Sequence, residues 1–197
     1  MVSSRLKKKF EATFAIGVRS LTRAGVTPNT MTILGLLVSL ASAWCYYYWA
    51  SFPILLPMAG CLVLLSGLFD AMDGVIARVS GKVTSFGGFL DSVSDRYADA
   101  IVLAGVTLGS LCNPLVGFAA LIGSLLVSYT RSRAEAEGVN MAGVGFAERA
   151  ERMVILAVVT FISVFWLDSL NFGIAFLAIL SHLTVVQRIL YFRKIVK

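Results

Sequence analysis

Six runs of apolar residues, separated by short polar connections, follow one another along the 197-residue chain. Turn-forming residues precede several of them, such as Asn113-Pro114 before the fourth. The runs extend over Thr32 to Trp49, Ile54 to Phe69, Phe86 to Leu111, Leu115 to Tyr129, Met153 to Leu167 and Phe172 to Tyr191. A helix needs about 20 mostly apolar residues to cross a bilayer. The pattern therefore predicts an all-α integral membrane protein with six transmembrane helices.

The residues before the first run have a different pattern. Residues 1–24 mix basic side chains, among them Arg5, Arg19 and Arg23, with apolar ones such as Phe10 and Phe14. This segment contains neither a continuous apolar core nor a small-residue cleavage site, so it does not resemble a removable signal peptide. It is typical of an amphipathic helix at the membrane interface. We expect one membrane domain over residues 1–197, with a juxtamembrane helix in 1–26 and a six-helix core in 27–197.

Composition supports the membrane interpretation. Apolar residue types make up 58% of the chain and charged types only 14%, and the mean hydropathy is +0.85. These values exclude an ordinary soluble domain. The three cysteines, Cys45, Cys61 and Cys112, have no CxxC spacing, which argues against a zinc site or a disulfide framework. We expect contact with membrane lipid and no nucleic-acid partner.

The charges predict the orientation of the chain in the membrane. The connections after the first, third and fifth runs contain no Lys or Arg, and Asp168 is the only charged residue in them. Basic residues concentrate on the cytoplasmic side of membrane proteins. Six spans also place both termini on one side. We therefore expect a multi-pass protein of the cell membrane with both termini and the functional site in the cytoplasm.

Four aspartates on the predicted cytoplasmic side have the spacing of residues on one face of a helix. Asp70 and Asp73 are three residues apart near the end of the second run, and Asp91 and Asp95 are four apart near the start of the third. Each pair lies on one face of a helix. Two antiparallel helices joined by a short loop would bring all four carboxylates together.

Carboxylates that face each other at the edge of a bilayer repel unless protons, arginines or metal ions lie between them. An all-oxygen set without His or Cys favours a hard cation, Mg²⁺ first and then Mn²⁺ or Ca²⁺. One or two such ions would be able to hold a diphosphate. Gly74 and Gly87, close to the aspartates, leave room for a phosphate. The carboxylates alone also allow a divalent-cation transporter, but charged positions do not continue through the bilayer.

Arginines at three helix ends form a second group on the same side. Two leave the fourth run, two enter the fifth and one lies near the end of the sixth: Arg131, Arg133, Arg149, Arg152 and Arg188. If they converge, they would bind a second anion, and a phosphorylated acceptor is its natural identity. The alternative is that these arginines only set the membrane topology, or pair with neighbours such as Glu148 and Glu151.

The aspartates belong to a longer pattern with eight fixed positions. The pattern is Asp, two residues, Asp-Gly, two residues, Ala-Arg, eight residues, Gly, three residues, Asp, three residues and Asp. Its fixed positions here are Asp70, Asp73, Gly74, Ala77, Arg78, Gly87, Asp91 and Asp95. This pattern resembles that of the CDP-alcohol phosphotransferase (CDP-alcohol phosphatidyltransferase) family. The resemblance implies a homodimeric six-helix membrane enzyme with an interfacial N-terminal helix. It would transfer the phosphatidyl-type group of a CDP-linked lipid to an alcohol and release CMP.

The resemblance also implies roles for individual residues. Asp70, Asp73 and Asp91 would bind Mg²⁺ or Mn²⁺, and Asp95 would bind a second ion or act as the general base. Asp91 and Asp95 are thus the candidate catalytic residues. The CDP-lipid would contact Asn29, Thr32, Asp70, Gly74, Ala77, Arg78 and Thr84. His182, in the middle of a span, is expected to be a hydrogen-bonded packing residue.

The segments around the arginines, 128–136 and 147–152, resemble the branch of the family that uses inositol phosphate, which includes phosphatidylinositol phosphate and archaetidylinositol phosphate synthases. There, Arg131, Arg149, Arg152 and Arg188 would hold the acceptor phosphate, with Arg133 a weaker candidate. The implied reaction transfers the lipid phosphoryl group of CDP-diacylglycerol or CDP-archaeol to inositol 1-phosphate. Glycerol 3-phosphate is the second candidate acceptor and serine the third.

Overall fold

The structure, a computed structural model, describes residues 25–196. The interfacial helix expected in residues 1–26 lies outside this range, except for its last two positions. Residues 25–196 form six α-helices and no β-strand. The helices are α1 (Pro28–Tyr48), α2 (Leu55–Ser80), α3 (Ser85–Leu108), α4 (Pro114–Ala136), α5 (Arg149–Ser163) and α6 (Ser169–Ile195).

Each predicted apolar run corresponds to one helix, so the all-α fold is confirmed. Four helices, α1, α2, α4 and α6, are long and apolar enough to cross a membrane. The other two differ for identifiable reasons. Charged residues lie in α3, among them Asp91 and Asp99, and α5 has only 15 residues, about 22 Å at 1.5 Å per residue. The count of six spans therefore remains a prediction.

Local capping determines where α2 ends and α3 begins. The C-cap of α2 is Gly81, whose φ of +67° is a left-handed conformation that glycine adopts readily. The Thr84 hydroxyl then accepts a hydrogen bond from the Gly87 backbone N–H at 3.0 Å and caps α3. The chain thus reverses within a few residues. Because α2 continues to Ser80, well beyond the apolar run, the aspartates of both helices lie at the same end of the bundle.

Close contacts between backbones hold α1 against α3. A Cβ atom placed on Gly105 would lie 2.7 Å from the Ala43 Cα, and one on Gly109 would lie 2.2 Å from the Tyr46 carbonyl oxygen. Only glycine permits this approach. Buried hydroxyl groups add contacts between helices, including the Tyr46 hydroxyl to the Thr160 Oγ1 at 2.6 Å. Gly105 and Gly109 therefore permit the close packing of α3 on α1.

The main apolar core lies at the end of the bundle away from the aspartates, around Tyr46, Val106 and Leu170. The outer surface is also apolar, with 93% of Phe165 and 79% of Leu115 exposed. Exposed apolar side chains on this scale fit a lipid environment. All three cysteines, Cys45, Cys61 and Cys112, are free.

Candidate active site

Three carboxylates from two helices meet at the end of α2 and the start of α3. One oxygen each of Asp70, Asp91 and Asp95 lies within 4.8 Å of the others, and all three residues are half-buried. The oxygens that bind one hard cation are separated by similar distances, because each metal–oxygen bond is about 2.0–2.6 Å long. The buried Asp91 Oδ1 has no hydrogen-bond partner among the described residues. The donor set therefore fits Mg²⁺ or Mn²⁺.

The fourth aspartate lies beside this group. Asp73 is buried, and its Oδ2 accepts a hydrogen bond of 2.6 Å from the Thr32 hydroxyl of α1. All four aspartates line one small cavity, as the antiparallel arrangement of α2 and α3 requires. Asp73 is outside the group of three close oxygens. The Thr32 hydroxyl, expected to contact the CDP-lipid, is directed at Asp73.

Arg149, the first residue of α5, connects the carboxylates. Its Nη1 lies 3.1 Å from the Asp70 Oδ2 and 2.9 Å from the Asp95 Oδ1, and its Nε lies 3.0 Å from the Asp99 Oδ1. The two Nη1 contacts are ion pairs without the alignment of a hydrogen bond. Burial alone would lower the pKa of Arg149, but Asp99, Asp95 and Asp70 raise it above the ordinary value. Arg149 is therefore a permanent cation at the edge of the cluster.

Asp99 belongs to the same network of charges, although it lies outside the predicted set of site residues. Its Oδ2 lies 3.3 Å from the Arg152 Nη2 and accepts a hydrogen bond of 3.0 Å from the Ser124 hydroxyl. Asp99 follows Asp95 at the same four-residue spacing that joins Asp91 to Asp95. That spacing was the signal available in the sequence.

A second cavity, of about 260 Å³, adjoins the carboxylates. Four of the five candidate arginines line it: Arg131, Arg149, Arg152 and Arg188. Hydroxyl and carboxylate groups complete its wall, contributed by Ser92, Ser128, Ser132, Glu135 and Glu148. Asp91, Asp95 and Arg149 line both cavities. The two binding regions are therefore directly adjacent.

The arginines are held in different ways. Arg188 is buried, and its Nε donates to the Val144 carbonyl oxygen at 2.8 Å while its Nη1 donates to the Val127 carbonyl oxygen. It thus joins the loop before α5 to α4. Arg131 is half-exposed and pairs with Glu135 at 2.8 Å.

Arg133 has a different position from the other candidates. Its side chain is 60% exposed, pairs with Glu137 at 2.6 Å and does not line the cavity. Arg133 lies two residues from Arg131 on the same helix, so the two side chains leave the helix in different directions. The structure therefore does not bring Arg133 to the other arginines.

The residues expected to contact the nucleotide lie at the same end of the bundle. A Cβ atom placed on Gly87 would lie 3.2 Å from the Asn29 Oδ1 and 3.0 Å from the Thr84 Oγ1, so the first turns of α1 and α3 adjoin. On α2, a Cβ atom on Gly74 would lie 3.4 Å from the Arg78 Nη1. Ala77, between them, is half-buried.

The one histidine is remote from these groups. The His182 Nε2 lies 3.2 Å from the Ala119 carbonyl oxygen on α4, and His182 lines neither cavity. This contact agrees with the expected hydrogen bond, but His182 is exposed and not packed in the core.

Known proteins resemble this chain in sequence and in fold. The chain is 39% identical to an archaetidylinositol phosphate synthase of Pyrococcus horikoshii over 171 residues, which cover 87% of this chain and 86% of the relative. Among solved structures, the Mycobacterium tuberculosis phosphatidylinositol phosphate synthase with bound CDP-DAG is 35% identical and superposes with a TM-score of 0.77, over 89% of this chain and 90% of that one. The same enzyme with manganese and citrate is 34% identical and gives 0.78, over 89% and 86%.

The chain also matches a known protein family. The profile described as CDP-alcohol phosphatidyltransferase matches residues 25–188, which include all four aspartates and every arginine that lines the larger cavity. The chain therefore belongs to the CDP-alcohol phosphatidyltransferase family.

Proposed function

We propose that this protein transfers the phosphatidyl or archaetidyl group of a CDP-linked lipid to a hydroxyl of inositol 1-phosphate and releases CMP. One observation carries this proposal. The cavity lined by carboxylates and the cavity lined by arginines share Asp91, Asp95 and Arg149, so an acceptor in one would meet a diphosphate in the other. Family membership favours this reaction over the cation transporter that the carboxylates alone allowed.

The carboxylate cluster supplies the donor half of the site. Asp70, Asp91 and Asp95 would hold Mg²⁺ or Mn²⁺, with Asp73 beside them. When bound, the metal neutralises the diphosphate charge and stabilises the leaving CMP. The related synthase of Mycobacterium tuberculosis, crystallised once with manganese and once with CDP-DAG, supports this role. Asn29, Thr84, Gly74, Ala77 and Arg78 would border the cytidine nucleotide, and Thr32 would orient Asp73.

The arginine cavity suits an acceptor that carries both a phosphate and hydroxyl groups. Arg131, Arg149, Arg152 and Arg188 offer positive charge for the phosphate. Ser128, Ser132 and Glu135, which line the same cavity, can exchange hydrogen bonds with a polyol. Serine would bring no phosphate for these arginines. Similarity to an archaetidylinositol phosphate synthase and a phosphatidylinositol phosphate synthase also favours inositol phosphate as the acceptor.

We assign Asp95 as the general base. It lines both cavities, so an acceptor hydroxyl between them lies within its reach. The hydroxyl oxygen forms a bond to the phosphorus that carries the lipid, and its proton passes to the Asp95 carboxylate. The bond from that phosphorus to the bridging oxygen breaks, and CMP leaves with this oxygen. Arg149 stabilises the charge around the reacting groups.

The membrane arrangement completes the proposal. The protein is a multi-pass membrane protein, and we propose that all six helices cross the bilayer with the termini and the site in the cytoplasm. The distribution of Lys and Arg supports this orientation. We further propose a single domain over residues 1–197, with the N-terminal segment at the interface, that functions as a homodimer.

The decisive experiment is an assay of the purified protein in detergent with Mn²⁺. Radiolabelled inositol 1-phosphate, glycerol 3-phosphate and serine are each supplied with CDP-diacylglycerol or CDP-archaeol. We expect lipid product and stoichiometric CMP with inositol 1-phosphate. No product from inositol 1-phosphate with either lipid would contradict the acceptor assignment, and no product from any acceptor would contradict the reaction class.

A further inference from the structure

Asp99 lies behind the acceptor cavity rather than in its wall. It is on α3, one helical turn beyond Asp95, and its side chain is only 11% exposed. It is outside the group of three close carboxylates, and it does not line the cavity of the arginines. A buried charge in such a position needs partners whose interactions offset the free-energy cost of its desolvation.

Its partners are the two arginines that α5 contributes to the acceptor cavity. The Asp99 Oδ1 lies 3.0 Å from the Arg149 Nε, and the Asp99 Oδ2 lies 3.3 Å from the Arg152 Nη2. Ser124 of α4 donates to the same Oδ2 at 3.0 Å and accepts from the Arg152 Nη2 at 3.3 Å. Each oxygen of Asp99 is thus committed to a different guanidinium.

The position of Asp99 reduces the repulsion between Arg149 and Arg152. Arg149 and Arg152 are three residues apart on one face of α5, and both are buried, with 16% and 7% exposure. Two like charges so placed repel strongly unless an anion lies between them. Asp99 is that anion. It contacts both guanidinium groups and helps to fix their directions, whereas Asp70 and Asp95 contact Arg149 through its Nη1.

We propose that Asp99 is a positioning residue that aligns Arg149 and Arg152 to bind the phosphate of the acceptor. The inference rests on the proposed function and deepens it, since it explains how the acceptor pocket keeps two buried arginines in fixed directions. Asp99 touches neither substrate in this account and acts through the two arginines alone.

The test is the Asp99→Asn variant, which removes the charge and keeps the shape. We expect the KM for inositol 1-phosphate to rise at least 10-fold, while the KM for the CDP-lipid and the Mn²⁺ affinity measured by electron paramagnetic resonance stay within twofold. Calorimetric binding of inositol 1-phosphate should weaken in parallel. An unchanged acceptor KM, or an equal loss toward both substrates, would overturn the proposal.

Glu137→Gln is the matched control, because it removes a carboxylate that pairs with the exposed Arg133 outside both cavities. This variant should keep all three parameters of the wild type. A rise in its acceptor KM equal to that of Asp99→Asn would contradict a role specific to Asp99.

A second comparison applies if Asp99→Asn alone does not fold. The Arg152→Gln variant is compared with the double variant Arg152→Gln, Asp99→Asn, in which one buried positive and one buried negative charge are both removed. Because Asp99 also holds Arg149, the double variant should have a higher acceptor KM than Arg152→Gln. Equal values would refute the positioning role.

The wild type tests the proposed function separately. If it used glycerol 3-phosphate instead of inositol 1-phosphate, the acceptor assignment would fail, and the same KM comparisons with glycerol 3-phosphate would still test Asp99.

Discussion

At the scale of single residues, Asp95 has the most demanding position in the site. Its Oδ1 lies 2.9 Å from the Arg149 Nη1, its carboxylate is close to those of Asp70 and Asp91, and it lines both cavities. The first two features suit a metal ligand, whereas the third suits a base that receives the acceptor proton. A substitution that keeps the shape of Asp95 can separate these roles.

We predict that Asp95→Asn lowers kcat by at least about 100-fold, the usual contribution of a general base, while CDP-lipid binding is largely retained. An amide cannot take the proton, but the other carboxylates remain to hold the donor substrate. Steady-state kinetics and equilibrium binding of the CDP-lipid measure the two effects. Asp168→Asn, an exposed position at the far end of the bundle, should match the wild type. Near-normal turnover by Asp95→Asn would exclude the base assignment.

Arg131 and Arg133 form a natural pair for a second prediction. Both lie near the end of α4 and pair with a glutamate four residues later, but only Arg131 lines the acceptor cavity. We expect Arg131→Gln to raise the acceptor KM about 10-fold, because a charge contact to the phosphate is lost. Arg133→Gln should change it less than twofold, since an exposed ion pair contributes little. Equal effects of the two substitutions in acceptor titrations would contradict this division.

The residues illustrate what the sequence can predict about the site. The spacing of the aspartates determines which helix face they share, so their convergence follows once α2 and α3 are antiparallel. The arginines belong to three separate helices, and their directions depend on packing that no local pattern encodes. For this reason Arg133 was grouped with Arg131, although the two diverge. Asp99 was missed because its partners are distant in sequence.

At the scale of secondary structure, the apolar runs predicted each helix but not its full length. Apolarity ends where the membrane ends, whereas a helix continues until a cap stops it. For this reason α2 extends to Ser80 and includes Asp70 and Asp73. The opposite holds for α5, which ends at Ser163, although the apolar run continues to Leu167. Its first turn is stabilised by a capping box between Glu148 and Glu151, which also places Arg149 at the site.

The contact between α1 and α3 gives a prediction at this scale. A Cβ atom on Gly109 would lie 2.2 Å from the Tyr46 carbonyl oxygen, and a backbone atom cannot move aside without displacing α1. We expect Gly109→Ala to destabilise the protein by about 1–3 kcal/mol, measured by thermal unfolding in detergent. Gly88→Ala on the same helix meets no atom within 4 Å and should be neutral or slightly stabilising. Unfolding temperatures that fall equally in both variants would show that the close contact is not the cause.

At the scale of the whole molecule, the candidate metal site brings charged residues of several helices to one point. Asp70 comes from α2, and Asp91 and Asp95 come from α3. Arg149 brings α5 to the same point, and Asp73 binds α1 through Thr32. Four of the six described helices thus meet at one cluster of charges. Arg149 supplies positive charge to both Asp70 and Asp95.

We expect the stability of the fold to depend on the metal. A cation that binds the three carboxylates in the folded state stabilises it by an amount that grows with the ratio of its concentration to Kd, about 2.7 kcal/mol at 100 times Kd. We therefore expect EDTA to abolish turnover and lower the melting temperature, and added Mn²⁺ to restore both. Asp91→Asn should lose most of this Mn²⁺-dependent shift, because the buried Asp91 Oδ1 lies in the carboxylate cluster and has no hydrogen-bond partner among the described residues. Asp168→Asn should keep the shift in full. If the melting temperature of the wild type does not change with Mn²⁺, the carboxylates do not hold the cation, even if turnover requires one.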